Sequence, residues 1–182
     1  MPLTRPRTLL IALALTLLAL IGGLGIWGTT LPRDHAVSSR VTIAAPAESI
    51  YNVMRDFKAI PTWWPAVTAI EMVPSTDGFE RWRETVDGFE MTIILREEEW
   101  PLRMATEIDT TGGSAFGGTW LHEVRIIDSA QSEVTITERG WVSNPYFRVM
   151  MKFGGEHTSI DSYLAALAAR FGATSTPAHV TP

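Results

Sequence analysis

The dipeptide Asp87-Gly88 constrains the fold of this chain most strongly, because it is a typical two-residue hairpin turn between two strand-like runs. A turn here pairs Val86 with Phe89 and Glu84 with Met91 along the two strands. Alternation then separates two sets of side chains: Trp82, Met91, Ile93 and Leu95 on one face, and Arg81, Arg83, Thr92 and Arg96 on the other. The sequence therefore predicts an antiparallel sheet with one apolar and one charged face.

Further strand-like runs lie near residues 38–44, 67–73, 79–86, 89–97, 102–109, 118–127 and 133–141. The last two runs form a hairpin if their apolar residues share one face. A five-residue loop over 128–132 satisfies this condition and pairs Val124 with Ile136. The same register places His122 opposite Glu138.

Two segments have helical patterns. Residues 45–57 carry Pro46 in the first turn, followed by Ile50, Val53, Met54 and Phe57 at helical spacing. A second helix begins at Asn144-Pro145 and extends to Phe171, with Gly154-Gly155 expected to kink it. Its apolar stripe predicts that it covers the apolar face of the sheet. The fold class is therefore α+β.

The N-terminal region contains an uncharged run, residues 9–28, that is long enough to cross a bilayer as a helix. The run exceeds the usual apolar region of a signal peptide and no small-x-small cleavage site follows it, which favours an uncleaved anchor. Arg5 and Arg7 precede it and favour a cytoplasmic N-terminus, although Arg33 and Arg40 on the far side oppose that orientation. We expect a single-pass protein whose globular domain is extracytoplasmic.

The predicted organisation is a membrane anchor over residues 1–30, a tether over 31–37, a globular domain over 38–172 and a disordered tail over 173–182. The order within the domain is strand, helix, short helical segment, six strands and a long helix. This order, with the segments "VTIAAPAESIYNVMRDFKAIPTWWPAV", "RWRE", "EEEWPLRM", "FGGTW" and "VSNPYFRVMMKF", resembles the START-like superfamily (Bet v 1-like, SRPBCC). Within it, the chain is most similar to the polyketide cyclase/dehydrase and lipid-transport group.

The resemblance implies a helix-grip fold, in which a curved sheet wraps around a long C-terminal helix and leaves an apolar cavity. It implies a domain that binds a hydrophobic small molecule, such as a lipid or a polyketide-like compound. Two alternatives stay open: an enzyme of the cyclase, dehydratase or hydrolase type, and an interaction domain without a cavity. The expected cavity residues are Trp63, Trp64, Trp82, Met91, Met104, Trp120, His122, Glu138, Phe147 and Met150.

The adjacent tryptophans Trp63 and Trp64 lie between Pro61 and Pro65, which restrict the backbone on either side. One tryptophan could fill the core while the other faces the cavity entrance. The alternative is that both only close the open end of the sheet. Both interpretations place the pair against the apolar face.

Three polar residues on the apolar face are the candidate catalytic groups. Glu84 there would have a raised pKa and could act as an acid or base. His122 beside Glu138 could form a base and its orienting partner, or a structural hydrogen-bonded pair. His157 falls on the apolar line of the last helix and is more typical of the edge of a core.

Composition excludes several classes of function. The chain has no cysteine, and its formal net charge is −5 without a basic tract, so thiol chemistry and nucleic-acid binding are not indicated. The four histidines are scattered and no metal-binding motif is present, so we expect no metal site. No nucleotide fingerprint or other cofactor motif is present, and nothing in the sequence indicates a protein partner.

Overall fold

The fold is α+β, as predicted, and its centre is an antiparallel sheet. A computed structural model describes residues 5–182, and within that range the sheet has eight strands. Their order across the sheet is β2-β3-β4-β5-β6-β7-β1-β8. The strands are β1 (Asp34–Ile43), β2 (Val67–Val73), β3 (Arg81–Val86), β4 (Phe89–Glu99), β5 (Arg103–Ile108), β6 (Phe116–Asp128), β7 (Gln131–Val142) and β8 (Ala178–Val180).

The helices lie at the two ends of the chain and between β1 and β2. They are α1 (Arg5–Thr30), α2 (Ala47–Arg55), a 3₁₀ helix (Phe57–Thr62), α3 (Pro145–Gly154) and α4 (Thr158–Arg170). The predicted long C-terminal helix is therefore two helices. Gly155 ends α3 with a φ of 91°, a left-handed conformation that glycine adopts without strain.

The hairpin between β3 and β4 has the predicted register. Val86 pairs with Phe89 and Glu84 pairs with Met91. The turn residues Asp87 and Gly88 have φ values of 49° and 83°, as a two-residue turn with two positive φ angles requires.

The predicted register of the last hairpin is wrong by two residues. Val124 pairs with Val134, and His122 pairs with Ile136 rather than with Glu138. The loop contains two residues instead of five, because the Asp128 carboxylate accepts a hydrogen bond from the Ala130 backbone N–H at 2.8 Å and stabilises a tight turn. A shift of two keeps every side chain on its face, so alternation could not distinguish the two registers.

The two ends of the globular part also differ from expectation. Strand β1 begins at Asp34, inside the segment predicted to be a tether. Residues 178–180, predicted to be disordered, form β8 and pair with Ser38, Ser39 and Arg40 of β1. The tail therefore adds a short edge strand to the sheet.

The core lies between the apolar face of the sheet and helix α4. The helix buries Ile160, Tyr163, Leu164 and Leu167, each at most 3% exposed. Each such side chain contributes about 1.5–3 kcal/mol through burial. Helix α3 is different, because only Val149 of its residues is buried. Its position beyond the core leaves room between α3 and the sheet.

Candidate functional site

An inner pocket of about 210 Å³ lies between the sheet, the segment after α2 and helix α4. Its walls are mostly aromatic and aliphatic. The residues that line it are Phe57, Ile60, Trp64, Glu84, Val86, Met91, Ile93, Thr106, Ile108, Phe116, Gly118, Trp120, His122, Glu138, Ser159 and Tyr163.

An outer pocket of about 410 Å³ adjoins it under helix α3. The two pockets share eight lining residues, among them Met91, Trp120 and Glu138, and are therefore direct neighbours. Phe89 of the β3–β4 hairpin and Phe147, Met150 and Met151 of α3 are among the residues that line the outer pocket but not the inner one. The rings of Phe89 and Phe147 meet edge to face, with centroids 6.1 Å apart, and connect the hairpin to the helix.

Tyr163 on α4 organises the aromatic wall of the inner pocket. The centroid of its ring lies 5.1 Å from that of Trp63, 5.0 Å from that of Trp64 and 5.8 Å from that of Trp120, and all three contacts are edge to face. The two adjacent tryptophans thus pack against the same tyrosine from different directions. Trp63 belongs to the core, whereas Trp64 lines the inner pocket and donates its indole N–H to Ser162 Oγ at 3.0 Å.

Two ionisable groups in the inner pocket, Glu84 and His122, have pKa values that are shifted mainly by burial. Glu84 is 8% exposed, and burial raises the pKa of its carboxyl to about 7. His122 is 3% exposed, and burial lowers the pKa of its imidazole to about 4, with the Met104 backbone acting in the opposite direction. Within residues 5–182, His122 Nδ1 is buried without a hydrogen-bond partner. Near pH 7 the pocket therefore holds a neutral imidazole at His122 and a carboxyl at Glu84 that is partly protonated.

Glu138, at the junction of the two pockets, has both carboxylate oxygens engaged. Oε1 accepts from His35 Nε2 at 2.9 Å, and Oε2 accepts from Trp120 Nε1 at 3.0 Å. This hydrogen bond raises the pKa of His35, which favours an imidazolium–carboxylate pair. Gly140 makes the pairing possible, because a Cβ at that position would lie 2.7 Å from the His35 ring.

The predicted pairing of His122 with Glu138 is therefore wrong, although both side chains line the inner pocket. Trp120 is the residue opposite Glu138 on the neighbouring strand. The histidine that contacts Glu138 is His35, which the sequence analysis assigned to the tether. His122 instead contacts the rings of Trp120 and Tyr163, with centroids 6.0 and 5.5 Å away.

The structure divides the predicted cavity residues into two groups. Those lining one or both pockets are Trp64, Met91, Trp120, His122, Glu138, Phe147 and Met150. Trp63, Trp82 and Met104 lie in the hydrophobic core instead, outside the linings of both pockets. Glu84, predicted as a catalytic candidate, lies in the inner pocket, and His157 lies outside both linings.

Sequence analysis missed His35 and Tyr163, and each carried a detectable signal. The alternation of the first strand continues back to His35, which the sequence analysis had assigned to the tether over residues 31–37. Tyr163 follows Ile160 at helical spacing and precedes Leu164 and Leu167, so the apolar stripe of the helix could have included it.

The end of the apolar helix α1 packs against α3, the helix that contributes to the lining of the outer pocket. Helix α1 is long enough to cross a membrane over Thr8–Thr30, and a membrane span or a signal anchor both fit it. It contacts α3 closely: a Cβ on Gly28 would lie 2.1 Å from the Pro145 carbonyl oxygen. Trp27 and Phe153 meet edge to face at 5.7 Å, and Arg148 Nη1 donates to the Leu31 carbonyl at 3.3 Å.

Comparison with solved structures identifies the same architecture elsewhere. The ZhuI aromatase/cyclase of Streptomyces sp. R1128 has a TM-score of 0.63 and 17% identity, over 76% of this chain and 94% of that one. A START superfamily protein of Mycobacterium smegmatis has a TM-score of 0.61 and 18% identity, over 76% and 97%.

Norcoclaurine synthase of Thalictrum flavum, solved in complex with dopamine and hydroxybenzaldehyde, has a TM-score of 0.59 and 11% identity, over 80% and 90%. Identities this low indicate a shared fold and nothing finer. No curated protein has a detectable match to the chain. The family described as polyketide cyclase / dehydrase and lipid transport matches residues 34–172, nearly all of the chain beyond the apolar helix, and the protein therefore belongs to that family.

Proposed function

We propose that this protein binds a hydrophobic small molecule, of lipid or polyketide-like character, that carries one hydroxyl or carbonyl group. The observation that carries the proposal is the inner pocket, whose mainly apolar and aromatic lining includes the buried polar groups Glu84 and His122. Buried polar groups without partners cost free energy, and a ligand hydroxyl that pairs with them recovers part of it. Family membership supports the same class of function.

The size of the space fits such a ligand. The pockets of about 210 and 410 Å³ together fall within the usual range of about 300–1,000 Å³ for small-molecule sites. A polar-substituted ring would occupy the inner pocket. The apolar remainder would lie under α3, against Met150 and Met151, whose flexible side chains adapt to different shapes.

We further propose that α1 anchors the domain and that the ligand exchanges through the side next to the anchor. The close contact of Gly28 with Pro145 places the start of α3 beside the end of α1. Tyr146, Met150 and Phe153 of α3 are 42%, 63% and 75% exposed, which is costly in water but not at a bilayer surface. Because Arg5 and Arg7 precede the apolar run, the domain would face away from the cytoplasm.

Membrane anchoring is tested by fractionation of cells that express the full chain. The chain should stay in the pellet after an alkaline carbonate wash, and protease added to the outer side should digest the globular domain. A soluble mature form that begins near Thr29 or Leu31 would show that the apolar helix is a cleaved signal peptide.

Ligand binding is tested with a matched pair of probes, 1-naphthol and naphthalene, titrated against full-length protein in detergent with empty micelles as the blank. The hydroxyl should improve affinity up to about 10-fold, the value of one net hydrogen bond. Glu84→Gln should reduce that preference, whereas Glu123→Gln, an exposed carboxyl on the same strand as His122, should preserve it. Failure of both probes to bind would favour an interaction domain without a ligand.

One observation favours a second candidate, an enzyme of the cyclase, dehydratase or hydrolase type. The carboxyl of Glu84 has its pKa raised to about 7, the value at which a general acid–base group works best near neutral pH. The test is turnover of an aromatic polyketide or an ester. If Glu84→Gln or His122→Gln slowed such a reaction by orders of magnitude while the fold was retained, the protein would be an enzyme and not only a binding protein.

A further inference from the structure

Three potential metal ligands meet on the side of α4 that faces β1 and β8: His157, Asp161 and His179. One ligand atom from each lies within 4.8 Å of the others. His179 Nε2 is 2.8 Å from Asp161 Oδ2, and the two imidazole rings stack with centroids 3.7 Å apart. None of the three lines the inner or the outer pocket, so this cluster is separate from the proposed ligand site.

The cluster exists because the C-terminal tail folds back on the sheet. His157 and Asp161 are four residues apart at the start of α4 and therefore share one face of the helix. Strand β8 pairs with β1 so that His179 lies directly opposite Ser39. The pairing of β8 with β1 therefore places His179 beside His157 and Asp161 of the helix.

Ser39 arranges two of the groups for coordination. Its hydroxyl is buried and donates to Asp161 Oδ1 at 2.6 Å, so its lone pair is available to the Nδ1–H of His157, 3.0 Å away. In the neutral tautomer that donates Nδ1–H to Ser39, the Nε2 lone pair of His157 is free to coordinate, and Oδ2 is the Asp161 oxygen that the serine does not engage. A ligand histidine whose second nitrogen donates to a fixed acceptor is the usual arrangement around protein-bound metals.

We propose that His157, Asp161 and His179 bind a divalent transition metal, of which Zn²⁺ is the best match, and that the metal fastens β8 to α4. Two imidazoles and one carboxylate are ligands that Zn²⁺ accepts, with water in the fourth position. Binding replaces the hydrogen bond between His179 and Asp161: the Nε2 proton leaves to solvent, and a neutral ring takes up a proton at Nδ1, so that His179 coordinates through Nε2 as a neutral imidazole. The stacked rings must tilt apart, which a three-residue edge strand permits.

The test is calorimetric titration of ZnCl₂ into full-length protein in detergent, purified without a histidine tag and treated with EDTA. We expect one Zn²⁺ per chain. Ser39→Ala should weaken binding by about 10–100-fold, as loss of an outer-shell partner does, and His179→Gln or Asp161→Asn should weaken it more. Asp128→Asn changes an exposed carboxyl in the β6–β7 turn and should leave affinity unchanged.

Two further readouts separate coordination from a general effect on the fold. Co²⁺ in place of Zn²⁺ should show the intense visible bands of a four-coordinate site, and His179→Gln should remove them. Zn²⁺ should also slow release of the last residues by carboxypeptidase in the wild-type chain but not in His179→Gln. Absence of one-to-one binding, or affinity unchanged in both His179→Gln and Asp161→Asn, would overturn the proposal.

Discussion

The inner pocket and the junction between the pockets each contain a glutamate and a histidine, Glu84 with His122 and Glu138 with His35, yet these groups are paired in opposite ways. At the junction, each Glu138 oxygen has a hydrogen-bond donor, from His35 and from Trp120. In the inner pocket, burial raises the pKa of the Glu84 carboxyl. His122 Nδ1 has no hydrogen-bond partner within the described part of the chain. Satisfied groups stabilise a fold, whereas unsatisfied groups in an open space are available to a ligand.

The difference predicts a chiefly structural role for Glu138 and, under the proposed function, contact with the ligand for Glu84. Glu138 connects β1, β6 and β7 through side-chain hydrogen bonds, and no ligand is needed to explain its burial. Glu84 has no such explanation, and its position costs stability at neutral pH. The changes below test this division, from the largest expected effect to the smallest.

Tyr163→Ala should have the largest effect, because it removes the ring that packs against Trp63, Trp64, Trp120 and His122. Truncation of a buried aromatic side chain to alanine typically lowers the free energy of unfolding by about 3–5 kcal/mol. The free energy of unfolding, measured by denaturant titration, should fall by that amount.

Tyr146→Ala is the matched control for this loss, since Tyr146 is 42% exposed on α3. It should lower the free energy of unfolding by less than about 1 kcal/mol. Equal losses in the two variants would show that α3 belongs to the same cooperative core as α4.

Glu138→Gln should destabilise the domain, because it weakens the attraction to His35 and leaves the partly buried donors of His35 and Trp120 poorly paired. Hydrogen bonds to charged groups contribute about 1.5–3 kcal/mol, and the loss should be of that size near pH 6. The pKa of His35 is raised in the folded state, so its stabilisation is complete below pH 6.5 and declines as the pH rises through the folded value. Denaturant titrations at pH 6 and pH 9 should therefore differ less in the variant.

Glu84→Gln should raise the free energy of unfolding, whereas Glu138→Gln should lower it. The folded pKa of about 7 lies above the ordinary value of 4.5, so the folded state favours the protonated carboxyl. Wild-type stability therefore falls as the pH rises from about 4.5 to about 7, and then levels off. An amide resembles the neutral carboxyl, and the variant should be about 1–3 kcal/mol more stable than wild type at pH 8.

The pH dependence of this gain is its internal control. At pH 5 the folded state holds Glu84 protonated, and the unfolded state, half a pH unit above the ordinary pKa of 4.5, still keeps part of it protonated, so the gain should shrink. Destabilisation by Glu84→Gln at pH 8 would mean that the carboxylate has a partner, and the contrast with Glu138 would then fail.

The sequence predicted the fold well, because the fold depends on alternation, helical spacing and turn residues. The Asp87-Gly88 turn determines one hairpin completely. The last hairpin was wrong by two residues, since its register depends on one side-chain hydrogen bond from Asp128 and not on the apolar pattern. Strand β8 was missed because a segment rich in proline, threonine and alanine carries no strand pattern and pairs only through the edge of β1.

The site could be predicted only in part, because it depends on which partner each group meets. Placement of Glu84 followed from the hairpin register. The partner of Glu138 did not, since His35 reaches it from a strand more than a hundred residues earlier, over the bare surface of Gly140. The break between α3 and α4, which opens the outer pocket, depends on the conformation of Gly155, and the sequence indicated only a kink.

Trp120→Phe should have the smallest effect and tests the second donor to Glu138. The change removes the indole N–H that lies 3.0 Å from Glu138 Oε2 but keeps an aromatic ring in the wall. Loss of one net hydrogen bond predicts a decrease of about 1 kcal/mol in the free energy of unfolding. Trp141→Phe is the control, because Trp141 contacts Arg33 through its ring face.

The double variant distinguishes the hydrogen bond from the lost ring volume. If Trp120 stabilises the fold through Glu138, Trp120→Phe should lower the free energy of unfolding less in the Glu138→Gln variant than in the wild type. The interaction energy of the double-mutant cycle should then be at least about 0.5 kcal/mol. Volume loss alone would give additive costs. Additivity would mean that His35 by itself satisfies Glu138, and that the second oxygen of Glu138, like Glu84, is available to a ligand.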